Sequence, residues 1–159
     1  MDPDRGYRIR AHVPGDYGQL RALWAGETLP AALGLSAADN REGIAAFLQR
    51  NAGLSLGLWC GEELVGSVLA GSDGRRGYIY HLEVRPDVRG RGWGRRLIEQ
   101  AVAALAASGV QKVHAFVYAD NHPGRLFWQS IGFLLRDELV VYSRETTEQA
   151  RFDKPLSAR

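Results

Sequence analysis

A strand-forming run from Tyr78 to Val84 is closed by Pro86 and followed by Arg89-Gly90-Arg91-Gly92-Trp93-Gly94. A single amphipathic segment comes next, with Leu97, Ile98, Ala101, Val102, Leu105 and Ala106 forming one apolar helical stripe from Gly94 to Ser108. Gly109 then stops the helix. This succession constrains the fold more than any other feature, because a strand emptying through a glycine turn into a helix is one arm of an α/β unit. Glycines there let the backbone approach a ligand closely. The first amides of the helix lack intrahelical partners and are suited to phosphate oxygens. Arg89, Arg91, Arg95 and Arg96 surround the turn, and a guanidinium can grip phosphate with two parallel bonds.

Two familiar phosphate-binding patterns do not fit. A Walker loop needs Lys-Ser or Lys-Thr after its last glycine, and no lysine follows here. A dinucleotide fingerprint needs GxGxxG and an acidic residue about 20 positions further on. Here Gly94 arrives one position early, Arg95 holds the required place, and Val110-Gln111 lie where the acid would be.

The rest of the chain reads as one domain, residues 1–159. Tyr7 to Ala11 alternate as a short strand. Asp16 to Ala25 has helical spacing, with Asp16 as the expected N-cap. Gly26 to Ala38, broken by Pro30, reads as a loop or a broken helix. Asp39 or Asn40 caps a second helix running to Arg50. Leu54 to Trp59 and Leu64 to Ala70 form a hairpin, and Lys112 to Tyr118 another strand. Asn121 caps a short helix with Pro123 in its first turn. Gly132 to Leu135 and Glu138 to Arg144 are expected as a closing strand pair, and the polar tail beyond as frayed. The expected class is α/β of the α+β type, with a mixed, mostly antiparallel sheet.

Charge and composition narrow the function. The 20 basic and 18 acidic residues leave a net charge of +2, too small for a nucleic-acid-binding face. Five arginines nevertheless fall between Arg85 and Arg96, a local cluster suited to a phosphorylated small molecule. Cys60 stands alone, which excludes an internal disulfide and points to a reducing compartment. No signal-like segment and no membrane-length apolar run is present. A cytoplasmic protein with neither a nucleic-acid nor a membrane partner is expected.

In detail, the region 78–135 resembles the GNAT superfamily of N-acetyltransferases. The pyrophosphate loop of that family reads (Gln/Arg)-x-x-Gly-x-(Gly/Ala), matched by Arg89, Gly92 and Gly94. The preceding strand Tyr80-His-Leu-Glu-Val84 and the later run Asn121-His-Pro-Gly-Arg-Leu-Phe-Trp-Gln-Ser-Ile-Gly-Phe133 are similar to its flanking motifs. The resemblance implies a sheet of about seven strands and about four helices, split into a V between two parallel strands. It implies acetyl-CoA as cosubstrate, with no metal. The backbone of Leu82, Glu83 and Val84 would hold pantetheine and thioester, and Gly90 to Arg95, Trp93 included, the pyrophosphate. Asn121 and Trp128 fall at further cofactor positions. An amine would be the acceptor, bound against the segment Trp24 to Ala38, in a monomer or homodimer.

Direct transfer requires a neutral amine, and a lysine-type amine with a pKa of about 10.4 is almost wholly protonated at neutrality. A base is therefore expected. Alternation puts His81 and Glu83 on one face of the strand and Tyr78 and Tyr80 on the other. Glu83, through water, is the preferred base and Tyr80 the second candidate, although a tyrosine is a poor base near neutrality. Trp128 departs from the family pattern, in which a tyrosine protonates the leaving thiolate; an indole N–H does not titrate. The rival reading is a non-catalytic module that binds acetyl-CoA or CoA.

Overall fold

The computed structural model describes residues 6–26 and 35–146. In chain order these form β1 (Tyr7–Ala11), α1 (Tyr17–Trp24), α2 (Arg41–Arg50), β2 (Leu56–Cys60), β3 (Glu63–Ser72), β4 (Gly77–Val84), α3 (Trp93–Ala107), β5 (Val113–Ala115) and α4 (His122–Ser130), with short 3-10 turns between some of them. The sheet runs β1-β2-β3-β4-β5. Its first three pairings are antiparallel and β4–β5 is parallel. This is the expected mixed sheet, reached by consecutive neighbours until α3 carries the chain over to β5.

Each face of the sheet has its own core. Leu97, Ile98, Ala101 and Leu105 of α3 pack with Val65, Val68 and Ile79. Leu20, Leu23 and Trp24 of α1 and Ile44 and Leu48 of α2 cover the opposite face, meeting Trp59, Leu64 and Leu69. Trp24 is fully buried, as the helical spacing predicts. Each such side chain contributes about 1.5–3 kcal/mol on burial, so the two layers fix the sheet between them.

The ends of the helices show which local signals hold. Asn40 caps α2, its Oδ1 accepting from the Gly43 N–H at 2.7 Å. Asn121 caps α4 through the Gly124 N–H at 3.0 Å. Asp16, the expected cap of α1, makes no capping bond; its carboxylate turns inward to Arg10 and His12 instead. The strand count also differs: five among the described residues, against about seven expected. Residues 132–135 and 138–144 join no ladder, and Leu134 and Tyr142 are 85% and 92% exposed. A strand needs a neighbour for its backbone, and β5 itself is only three residues long.

Candidate functional site

β4 and β5 pair only at Gly77–Val113, Tyr78–His114 and Ile79–Ala115. β4 runs on to Val84, so from Tyr80 onward β5 offers it no ladder partner and the two strands part. Backbone polar groups on such an edge must find partners elsewhere, which gives the split strand a row of donors and acceptors for an extended ligand. One is already used: the Val84 carbonyl accepts from Arg89 Nε at 2.7 Å.

On its other edge β4 carries a bulge. Tyr80 stands opposite Leu69 and Glu83 opposite Ser67, so His81 and Leu82 together face the single residue Val68. His81 has φ 49°, the only positive φ outside glycine among the described residues. A left-handed L-residue of this kind costs about 1–2 kcal/mol, and such strain collects at functional sites. The bulge corrects the expectation from alternation. Residues directly opposite in an antiparallel pair share a face, so Tyr78, Tyr80 and Glu83 all lie on the α1/α2 side. Tyr80 meets Phe47 of α2 at 5.9 Å, and His81 meets Trp24 of α1 edge-on at 5.3 Å. Glu83 lines a cleft of about 430 Å³ together with Gln19, Leu23, Leu64, Arg85 and Pro86.

The glycine turn follows. Gly90 and Gly92 both take positive φ, 76° and 79°, a conformation glycine adopts at no steric cost. Gly92 is the N-cap of α3, so no side chain competes for the first amides. A Cβ on Gly94 would sit 3.5 Å from Phe127 of α4, so this helix start faces α4. The Arg91 and Arg95 side chains are exposed around the turn. The Trp93 side chain points the other way, into the α3 core, where it stacks near Tyr7 at 5.3 Å. Only the backbone of Trp93 is therefore placed to serve a ligand at the turn. Arg89 reaches back across the turn to Glu83, Nη2 donating to Oε1 at 2.6 Å, with Glu83 only 5% exposed. The turn is thus tied to the end of the strand through the Arg89 side chain, by its ion pair with Glu83 and its bond to the Val84 carbonyl.

The α1/α2 side of β4 holds a pair that the sequence reading did not join. His81 Nε2 lies 2.7 Å from Asp39 Oδ1, each side chain 11% exposed. Asp39 also accepts from the Ser36 N–H at 2.7 Å, closing the 3-10 turn before α2. Burial pushes the Asp39 carboxyl up, but the bonds from His81 and Ser36 outweigh it and hold it below the ordinary value. Burial, with Tyr78 alongside, pushes the Tyr80 hydroxyl up. Asp39 was legible only as a helix cap, because 42 residues separate it from His81 and no spacing rule spans that distance. Of the segment expected to wall the acceptor, 27–34, including Glu27 and Thr28, lies outside the described residues.

A second histidine–aspartate pair lies deeper on the same face. His12 Nε2 is 2.9 Å from Ser67 Oγ and Nδ1 3.3 Å from Asp16 Oδ2, with no exposure of the His12 side chain. Arg10 grips Asp16 with two bonds, at 2.8 and 2.9 Å. Burial lowers the His12 pKa despite the acid beside it. Asp16 is pushed up by burial but brought down to about 2 by Arg10, the Val13 amide and His12.

In α4, Trp128 packs edge-on against Phe133 at 4.7 Å and Phe127 at 5.6 Å. Its ring is partly buried and packs against the α3-side core. The Asn121 amide oxygen is engaged by its own helix.

A split parallel strand pair above a left-handed glycine turn, with two separately packed faces, agrees with the comparisons to known proteins. The acetyltransferase (GNAT) family profile matches residues 20–133. The chain belongs to the GNAT family. Its similarity to individual GNAT proteins is partial. An acetyltransferase of Sodalis glossinidius is 32% identical over 90 residues, 57% of this chain and 63% of that protein. One of Pectobacterium atrosepticum is 49% identical over 59 residues, 37% and 42% of the two chains. The matched stretches thus span less than two thirds of these curated relatives. The fold extends further than the sequence match: the crystal structure of an acetyltransferase from Streptococcus agalactiae has a TM-score of 0.69 at 22% identity, covering 92% of this chain and 94% of that one. No described helix of this GNAT chain is long and apolar enough to cross a membrane.

Proposed function

We propose that this GNAT protein transfers the acetyl group of acetyl-CoA directly to a primary amine. The parting of β4 from β5 just before the Gly90–Gly94 turn carries the reading. It supplies an extended backbone slot that ends at a phosphate-sized set of helix-start amides. Acetyl-CoA is a substrate here, and the chain fits it: the two left-handed glycines keep the turn bare, and Arg91 and Arg95 surround it with positive charge. Pantetheine would lie along Leu82 to Val84 and the pyrophosphate over residues 90–95, with Asn121 and Trp128 bordering the slot from α4. A backbone N–H of β4 aimed at the thioester oxygen would stabilise the oxyanion of the tetrahedral intermediate.

The roles of Glu83 and Tyr80 follow from their surroundings. The Glu83 carboxylate is bonded to Arg89, so we assign it first to holding the turn against the strand, where it also borders the acceptor cleft. Tyr80 keeps its proton at neutrality, packs against Phe47 and serves as a hydrogen-bond donor. Trp128 is packed among aromatic rings and cannot deliver a proton. The CoA thiol, with the cysteine pKa of about 8.5 as a guide, leaves as its anion without an acid.

The test is thermal stability with acetyl-CoA, with NADH as the control. A ligand at 100 times its Kd adds about 2.7 kcal/mol, or about 5–11 °C for a chain of this size. A shift with acetyl-CoA alone, followed by thiol release with an amine panel, is the expected result. No shift would overturn the cofactor assignment. A shift with no thiol release from any amine would favour a non-catalytic acetyl-CoA-binding module.

A further inference from the structure

Glu83 belongs to two regions at once, and its ion pair with Arg89 joins them. We propose that this pair couples the cofactor turn to the acceptor cleft, so that a cation in the cleft and phosphate at the turn each strengthen the binding of the other; this rests on the acetyl-CoA reading above. The Glu83 carboxylate lines the cleft beside Gln19, Leu23 and Leu64. Its partner Arg89 opens the glycine turn and is held by two bonds, Nη2 donating to Glu83 Oε1 at 2.6 Å and Nε to the Val84 carbonyl at 2.7 Å. Packing does little to shape the turn itself. Among the described residues, nothing beyond their chain neighbours lies within 4 Å of a Cβ built on Gly90 or Gly92. The turn is fixed at its ends instead, by buried Val88 and Trp93 and by the fork of Arg89. A change in what Glu83 binds is therefore felt at the turn.

Charge gives the coupling its sign. Of the charged residues that line the cleft, Glu63 and Glu83 are acids and Arg85 is the one base. Arg85 is already met by two carboxylates, donating to Glu63 at 2.6 Å and to Asp87 at 2.6 and 3.0 Å. The cleft therefore suits a cation, the form of an alkylamine at neutral pH, where its pKa is about 10.4. That cation and Arg89 then share one carboxylate, and each weakens the hold of the other on it. Arg89 can turn its charge to phosphate oxygens, which a guanidinium binds in a fork. In the other direction, phosphate at the turn draws on Arg89 and leaves more of the Glu83 charge to the ammonium. Linkage requires the two effects to be equal: the factor by which the amine tightens the cofactor is the factor by which the cofactor tightens the amine. Glu83 and Arg89 act here as positioning residues, and the acceptor class implied is an amine bound as its ammonium.

The probes are CoA, which carries no acyl group to transfer, and methylammonium, which a cleft of about 430 Å³ admits. CoA binding is measured by calorimetry on wild type, Glu83→Gln and Arg89→Gln. Methylammonium chloride replaces sodium chloride stepwise, at constant ionic strength so that screening does not change. In wild type the Kd for CoA is expected to fall to a plateau about 5-fold lower or more, the low end of the usual range for coupled sites. Both variants are expected to lose this response. Arg89→Gln is the decisive one, because it keeps the carboxylate in the cleft and removes only the link to the turn. Where it fails to fold, Arg89→Lys takes its place, since it keeps the cation, loses the two-bonded fork and should lose most of the response. A full response in any of these variants would belong to direct attraction between the two ligands and overturns the proposal. CoA binding by wild type that ignores methylammonium overturns this proposal alone. No CoA binding by wild type overturns the cofactor reading together with it.

Discussion

Among the described residues, two histidine–aspartate pairs lie on one face of one sheet, and they are built differently. His12 is wholly buried, both ring nitrogens lie within bonding distance of side chains, and Arg10 locks its acid from the outside. His81 retains some exposure and sits on a strained bulge of β4, edge-on to Trp24 of α1. The first has everything it needs inside the fold, down to the Ser67 hydroxyl. With its serine it even has the composition of a hydrolase triad, but no substrate could reach a serine with zero exposure. The comparison teaches that the same two residue types are used differently by the fold: one pair is sealed inside it, and the other is held at a strained bulge.

Several measurements can break or sharpen this contrast. The largest effect expected is on stability, from His12→Ala. Removing the ring takes a partner from the Ser67 hydroxyl and from Asp16 inside the fold, although Arg10 still holds Asp16; each buried polar group left short in this way costs about 1–3 kcal/mol. Urea denaturation would read it, and activity per folded molecule should be retained. Loss of activity in fully folded His12→Ala protein would mean that the buried pair is not merely structural.

Next in size is the acid response of the same pair. Asp16 is held at about 2 in the folded protein, below its ordinary 3.8. A depressed carboxyl contributes stability that is fully present above the unfolded pKa and is lost as pH falls through the folded one. The expected loss is about 2 kcal/mol between roughly pH 4 and pH 2. It should be visible as a fall in the denaturation midpoint that disappears in Asp16→Asn. A parallel fall in that variant would assign the acid sensitivity elsewhere.

The smallest stability effect is expected from Asp39→Asn, about 1 kcal/mol or less. The asparagine oxygen can still accept from the Ser36 amide, and the side chain keeps some exposure. Calorimetry on this variant reads the contrast directly: a small change in Tm separates it from His12→Ala. A Tm drop as large as that of His12→Ala would erase the contrast between the two pairs.

Much of this was legible in the sequence. Local chemistry gave the glycine turn, the amphipathic α3 and its stop at Gly109, and the caps of α2 and α4, because each depends on residues within a few positions of one another. Those motifs carried the family as well. Long-range placement was not legible. Asp16 reads as a helix cap, but the guanidinium of Arg10 and the ring of His12 offer it stronger partners than a single amide. Residues 138–144 read as a strand from their side chains, yet a strand forms only where a neighbouring edge receives it.

The sequence by itself determined the turn, the helices, the mixed sheet class and the arginine-rich loop, since propensity, periodicity and glycine conformation act locally. Only the tertiary structure decided which face of β4 each side chain serves. One extra residue in the ladder puts Tyr80 and Glu83 on the same side and brings His81 against an aspartate 42 positions away. A strand's alternation is a rule about an unbroken ladder, and the partner strand, which the local sequence does not specify, is what breaks it.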